Sequence, residues 1–470
     1  LFYRSTRFGN ALKRRAKPLS VALCSMLLAA CSATFYQQLL SSYSDQLSWS
    51  RSLVAQGQAS KAAAAFKAGD SGTAQYLRLL EQGRLEYLSP DSEQSLASFS
   101  QVDQQLRWLS TQPNYRVSSG LQQTASLISN DNFIEYTIPP YEQAMLHYYQ
   151  AQNYLEQQGL SGALVEVRRA NWLQQQALSE APRDLEQELR EYRTQYQAVL
   201  GEYPQSGLSS TLSDPYQLAS SHALAGAMFV AAGEPNDAYI SYRKALSLAP
   251  DNPDLKAEVG RLGKRLGMSD VEQYSGGAEL ELGEGQGLVV LIAEQGLVQA
   301  RQEVKFTVPI PDGRHWRYYS VALPVMTGVR SADNLAFQLG DKHYVAAPMT
   351  NFSAVAQRQL QEDLPGLILR QVLRLATKDG LTREAEKSTK EEELAGALMN
   401  IYNIVSERAD TRHWQTLPAQ DNIAIKAIDS GSHRFSVPGW MNSESTINVS
   451  AGRVTLVFAG EYTVTRSFQL

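Results

Sequence analysis

Cysteine is nearly absent from this chain. Only Cys24 and Cys31 occur among 470 residues. Beyond Cys31 the sequence can form no disulfide, no thiolate zinc site and no cysteine nucleophile. Long apolar runs are missing too. Past the N-terminus no stretch approaches the roughly eighteen uninterrupted apolar residues of a membrane span. The six histidines (His147, His222, His315, His343, His413 and His433) show neither an HExxH spacing nor close pairs. No metal site and no cofactor is therefore expected. Basic charge is short as well: 43 Lys and Arg stand against 48 Asp and Glu. Arg4, Arg7, Lys13, Arg14, Arg15 and Lys17 crowd the first thirty residues, which hold no acid, so the remainder is more acidic than the whole. That balance argues against nucleic-acid partners, which require a surplus of phosphate-neutralising side chains.

What is present begins with an address. The basic N-terminus leads into a short apolar run, Leu19–Leu28, the order of a targeting signal. It ends in Leu28-Ala29-Ala30-Cys31, which resembles the bacterial lipobox. The resemblance implies a signal peptide over 1–30, cleavage before Cys31, and acylation of that cysteine on its sulfur and new amine. Several acyl chains anchor far more firmly than one. Ser32 after the cysteine implies sorting to the outer membrane, with the protein on its periplasmic face and touching the membrane through the lipid.

From 31 to 270 the pattern is helical. In Ala219–Pro250, one run holding Gly226 and Phe229 breaks at Gly233-Glu234-Pro235. A second run sets Ala238, Tyr242 and Ala245 on one face by spacings of four and three. Small residues let the two helices approach closely. The stretch resembles a tetratricopeptide repeat. Ala144–Ala170 follows the same scheme more loosely through Ala151, Tyr154, Ala163, Val167 and Ala170. Leu77–Leu88 and Glu93–Leu109 form another expected pair, marked by Gly83 and Phe99. Starts at 144 and 219 are not separated by a multiple of the repeat, so an irregular superhelix is expected. In the tetratricopeptide family, recognition residues lie on the first helix of each repeat. By position these are Tyr148 and Gln152, whereas Ala223 and Ala227 leave the second repeat bare.

Texture changes at the Gly-rich linker 271–285. β-rich runs follow at Leu288–Ala293, Glu303–Pro309, His315–Leu323 and His343–Ala347, and again at Ile423–Ala427, His433–Val437, Arg453–Phe458 and Glu461–Phe468. Between them, a helical insertion spans about 353–408, bent or restarted near Pro365-Gly366. The expected fold class is therefore α+β and multidomain: an N-terminal all-α tetratricopeptide-like array, then an α+β domain over 286–470 with a mostly antiparallel sheet. At its helix-to-strand corner, Asp410, Arg412 and Trp414 combine carboxylate, guanidinium and indole. This is either a polar site or an Asp–Arg pair fixing the corner, with Trp414 in the core.

Other motifs carry less. Gly69-Asp70-Ser71-Gly72 resembles a serine-protease nucleophile motif but stands between Ala-rich helical segments. Gly283, Gly285 and Gly287 precede a strand instead of following one, which excludes a dinucleotide loop. With no recognisable nucleophile, metal set or carboxylate pair, the chain is not expected to be an enzyme.

Several blocks together resemble a family of uncharacterised proteobacterial lipoproteins with tetratricopeptide-like N-terminal halves. They are Asn130-Asp131-Asn132, Pro140-Tyr141-Glu142, His147-Tyr148-Tyr149, Asn153-Tyr154-Leu155, Gly162–Glu166 and Arg168–Asn171. In the second half they are Glu294-Gln295-Gly296-Leu297, Val321–Pro324, and Ala409-Asp410 with Arg412, Trp414, Leu417 and Pro418. The resemblance implies a cell-envelope setting near peptidoglycan synthesis and no settled activity. The expected function is a lipid-anchored periplasmic adaptor that binds envelope proteins. Alternatives are a peptidoglycan- or glycan-binding or glycan-acting protein, and a structural subunit of an envelope ring or export complex.

Overall fold

The computed structural model describes residues 41–66, 72–111, 134–179, 185–208, 214–269, 271–274, 280–312, 315–385, 408–441 and 443–470. The signal peptide and Cys31, Gly69–Ser71 and Asn130–Asn132 lie outside the described residues, as does most of the charged stretch from 382 to 393. Helices come first: α1 (Tyr43–Ala55), α2 (Ala59–Ala65), α3 (Gln75–Leu88), α4 (Ser92–Ser110), α5 (Pro140–Gln158), α6 (Leu160–Ser179), α7 (Glu186–Glu191), α8 (Arg193–Glu202), α9 (Ala219–Ala231), α10 (Pro235–Leu248) and α11 (Pro253–Leu266). Their ends follow local chemistry. Ser42 and Asp45 form a reciprocal capping box at α1. Asn252 caps α11 by accepting from the Leu255 N–H, and Gly267 closes that helix in the left-handed conformation.

Consecutive helices pair as antiparallel hairpins, and glycine sets how closely they approach. A Cβ on Gly83 would stand 2.7 Å from the Phe99 ring, and one on Gly226 would stand 2.7 Å from the Tyr242 ring. Both contacts join the residues singled out by spacing. Cross-links then fix the register. Ser95, Ser92 and Asp103 of α4 meet Asn153, Gln157 and His147 of α5 in reverse order, so these helices are antiparallel. His147 also meets Glu166 of α6 at 2.6 Å. Asn171 and Gln174 of α6 meet His222 and Ser221 of α9. Hence α4, α6 and α10 run parallel to one another, each the second member of its hairpin.

Ten strands follow: β1 (Gln286–Gln295), β2 (Gln302–Asp312), β3 (His315–Val325), β4 (Leu335–Leu339), β5 (Lys342–Asn351), β6 (Gln420–Asp429), β7 (Gly431–Ser436), β8 (Ser445–Val449), β9 (Val454–Gly460) and β10 (Thr463–Gln469). Eight form one sheet in the order β10-β9-β1-β6-β5-β4-β7-β8, and β2 and β3 form a separate hairpin. Only the β1–β9 pairing is parallel within the large sheet, so it is mostly antiparallel. The turn Glu294-Gln295-Gly296 does not join β1 to β2 as a hairpin. Instead β1 pairs with the distant β6 and β9, because its run from Gly287 to Glu294 is buried on both faces and belongs at the sheet centre. Strands β4 and β8, at five residues each, are too short to stand out in the sequence.

The two faces of β1 enter different cores. Leu288, Val290 and Ile292 pack with Tyr149, Phe99 and Trp414 in a core that runs through the helices. Val289, Leu291 and Ala293 pack with Phe337, Phe435 and Ile447 in a smaller core inside the curled sheet. The last helix of the N-terminal array ends at Leu266 and the sheet begins at Gln286. The first core is continuous across both halves.

Between β5 and β6 lies α12 (Phe352–Ala385), with Pro365 inside it. The helix neither stops nor restarts at Pro365-Gly366. Leu360, Leu364, Leu367, Ile368 and Val372 on both sides of the proline are buried, and this packing holds the helix through the missing hydrogen bond. The expected second helix over 391–408 falls mostly outside the described residues.

Gly226→Ala pushes a methyl group into the Tyr242 ring, and overpacking of this kind costs about 1–3 kcal/mol. Chemical denaturation should show that loss, with the native helix content unchanged.

Candidate functional site

The helical array grips a segment of its own chain. Residues 411–418 are all buried although they form no helix or strand. A buried irregular segment must find partners for its backbone groups, and the helices supply them. Glu81 on α3 accepts from the Gln415 N–H at 2.7 Å, the Thr416 N–H at 3.0 Å and the Thr416 hydroxyl. Glu142 on α5 accepts from the Trp414 N–H at 2.8 Å and from the hydroxyls of Tyr136 and Tyr141, each at 2.9 Å. In the other direction, Arg84 donates to the Thr416 carbonyl at 3.3 Å, and Arg51 donates to the carbonyls of Gln415 and Val298. Arg301 holds the Arg412 carbonyl at 3.0 Å. The segment is bound as an extended peptide would be, by side chains reading its main chain.

Behind it the sheet is tied to the same helices. Arg84 pairs with Glu294 of β1, and the Tyr149 hydroxyl donates to Glu294 at 2.9 Å. Thr350 of β5 links Ser220 of α9 to Asp421 of β6. Lys426 of β6 pairs with Asp254 of α11.

Three buried carboxylates in this interface, Glu81, Glu142 and Asp421, titrate at about 7. Burial drives each upward, and their hydrogen-bond donors offset only part of it. Asp410 shifts the other way. Burial raises it, but the charge and hydrogen bonds of Arg412, with the nearby charge of Arg301, together outweigh burial and lower it. Burial beside Arg301 and Arg51 keeps His413 neutral, and burial beside Lys244 lowers His222 to about 3.

The expected contact residues Tyr148 and Gln152 are not on an open groove. Each is 1% exposed. The sheet covers the inner face of α5, Tyr148 stacks edge-on to Tyr149, and Gln152 accepts from the Tyr87 hydroxyl. With Tyr87, Ile292, Glu294 and Thr463 they line a crevice that has no room for a water molecule. Of the two readings left open for Asp410, Arg412 and Trp414, the structure has the Asp–Arg pair with Trp414 in the core. Arg412 clasps Asp410 through two bonds of 2.8 Å and donates to the Ile134 carbonyl at 2.7 Å, while Trp414 is fully buried against Phe99 and Tyr149. The corner is a clasp between halves and not a polar binding site. His147 is packed against Glu166 and His222 against Asn171, and no group of His, Cys, Asp and Glu among the described residues has the arrangement of a metal site.

Glu81 and Arg84 were not singled out by the sequence. Their spacing on α3 is ordinary for a helix face, and only the partner segment, more than three hundred residues away, gives them meaning. Glu142, Glu294 and Trp414 do lie in the motif blocks, which the fold brings together.

With the inner face filled, the exposed apolar side chains of the helices lie outside. Trp108 on α4 is 55% exposed and Trp172 on α6 is 62% exposed; Val165 on α6 and Ile240 on α10 are exposed as well. The Asp103–Arg169 pair at 3.0 Å sets α4 against α6, placing Trp108 and Trp172 about one turn beyond it on parallel helices. Gly226–Tyr242 and His222–Asn171 place Ile240 level with Val165. The four side chains therefore run as a diagonal band over three outer helices. A separate open groove of about 550 Å³, lined by Trp440, Ser443, Glu444, Val464 and Thr465, lies where the two edge strands β8 and β10 approach.

No protein-family model matches the chain, and no curated protein matches it. Among solved structures, one described as the crystal structure of MamA is 14% identical and covers 48% of this chain and 89% of its own, with a TM-score of 0.26. A likeness at that level bears on neither fold nor function.

Glu81→Ala leaves two buried amides and a hydroxyl without their acceptor, and should cost about 3–5 kcal/mol in chemical denaturation. The pH response has a definite sign. Glu81, Glu142 and Asp421 bind protons more tightly folded than unfolded, so their contribution is complete below about 4 and is lost as pH rises through about 7. The thermal unfolding temperature should fall as pH rises from 5 to 8, and Glu142→Gln, which keeps an acceptor for the Trp414 N–H, should flatten that slope.

Proposed function

We propose that this chain is a lipid-anchored periplasmic adaptor that binds partner proteins through the outer face of a tetratricopeptide-like array. The observation that carries the reading is the band of Trp108, Val165, Ile240 and Trp172 on α4, α6 and α10. Large aromatic side chains beside arginine are the residues that dominate protein interfaces, and Arg107 and Arg168 flank this band. The inner groove, where a tetratricopeptide array ordinarily takes its ligand, is filled here by residues 411–418 and the sheet. Partners then dock outside.

The anchor is part of the same proposal. Leu28-Ala29-Ala30-Cys31 supports acylation of Cys31, and Ser32 supports the outer membrane. No helix among the described residues is long and apolar enough to cross a membrane. Membership of the uncharacterised lipoprotein family, and a role in envelope assembly beside peptidoglycan synthesis, rest on the motif blocks.

The test is crosslinking in cells followed by purification, comparing wild type with Trp108→Glu/Trp172→Glu. A defined envelope protein captured by wild type and lost from the double variant is the expected result. Equal capture by both would remove the outer face from the account.

A further inference from the structure

We infer that the outward side of the first helical hairpin, α1 and α2, rests on the lipid bilayer that holds the anchor, with Trp49 seated among the headgroups. The inference rests on the acylation of Cys31 in the proposed function. It adds a protein surface to a membrane contact that the lipid alone makes there. Its basis is where the tether ends, what that side of the hairpin carries and what it lacks.

The tether is short. Ten residues lead from Cys31 to Ser41, which immediately precedes the Ser42 cap of α1. Ten residues span at most about 33–36 Å. Helix α1 turns a buried stripe of Tyr43, Leu47, Ser50 and Val54 toward the protein. Trp49 stands on the opposite side, 59% exposed and about 9 Å from the start of the helix. The bilayer that holds Cys31 is therefore within reach of Trp49. Tethering also makes the contact intramolecular, so a side chain too weak to recruit a free protein suffices once the anchor is in place.

The chemistry of that side suits a headgroup layer. Tryptophan settles there because its ring is apolar while its N–H keeps a wet partner. Ser48, Ser52 and Gln56 share the outward side with Trp49, exposed and uncharged. Between Ser41 and Phe66 the one acid is Asp45, set against Arg51 and Lys61, although the whole chain is acidic. The Asp45 carboxylate is already taken by the Ser42 N–H at 3.0 Å and the Ser42 hydroxyl at 2.7 Å. Anionic headgroups therefore meet no surplus of negative charge here, and Lys61 on α2 is exposed to them.

The experiment reads tryptophan emission of the acylated chain in vesicles of phosphatidylethanolamine and phosphatidylglycerol, with and without bromine on the acyl chains next to the headgroup. Brominated lipid should quench part of the wild-type emission. Trp49→Phe should remove most of that quenching, whereas Trp172→Phe should leave it unchanged. Both variants should float with the vesicles and unfold at the wild-type temperature. An acylated chain indifferent to bromine overturns the inference, as does quenching that survives Trp49→Phe, and either result leaves the anchor standing. A Trp49 shielded from aqueous iodide yet untouched by bromine assigns this side to a second copy of the chain and overturns the inference as well. Mass spectrometry that finds Cys31 without acyl groups sinks the anchor itself, and the inference falls with it.

Discussion

Two buried glutamates hold this molecule together. Glu81 and Glu142 project from the inner faces of α3 and α5 and take the backbone N–H groups of Trp414, Gln415 and Thr416. Without acceptors these amides would be an unaffordable burial. With them, an irregular segment can run through the core and carry Trp414 between Phe99 and Tyr149. The Arg84–Glu294 pair and the Arg412–Asp410 clasp secure the same segment at its two ends. Helices and sheet consequently share a core, and the inner face of the helices is covered by the chain itself.

That arrangement decides where function can sit. An array whose inner face binds its own chain presents its outer helices to solvent. There Trp108, Val165, Trp172 and Ile240 are exposed among polar and charged side chains such as Arg107 and Arg168. The three buried carboxylates pushed up to about 7 lie in the contact between helices and sheet. Each faces backbone amides or hydroxyls of this chain. Their elevation records what burial costs.

Much of the fold was legible in the sequence, and the reasons differ by element. The hairpins α3/α4 and α9/α10 were readable because Gly83 and Gly226 must face Phe99 and Tyr242, a local constraint with a fixed spacing. Strand β1 was readable from its apolar run, but its partners were not, since β6 and β9 lie more than a hundred residues downstream. The reading of Tyr148 and Gln152 as contact residues failed for a related reason. Position in a repeat fixes which face a side chain takes, yet says nothing of whether another part of the chain covers that face. At Asp410, Arg412 and Trp414 the two readings left open were separated by burial alone. The outer band escaped notice because exposed tryptophan and core tryptophan look alike in a helical pattern.

The account stands or falls on the segment being part of the core, and amide hydrogen exchange reads that directly. The N–H groups of Trp414, Gln415 and Thr416 should be protected as strongly as those of β1, opening only with global unfolding. Exchange of these three amides at the rate of an exposed loop, while β1 remains protected, would contradict it.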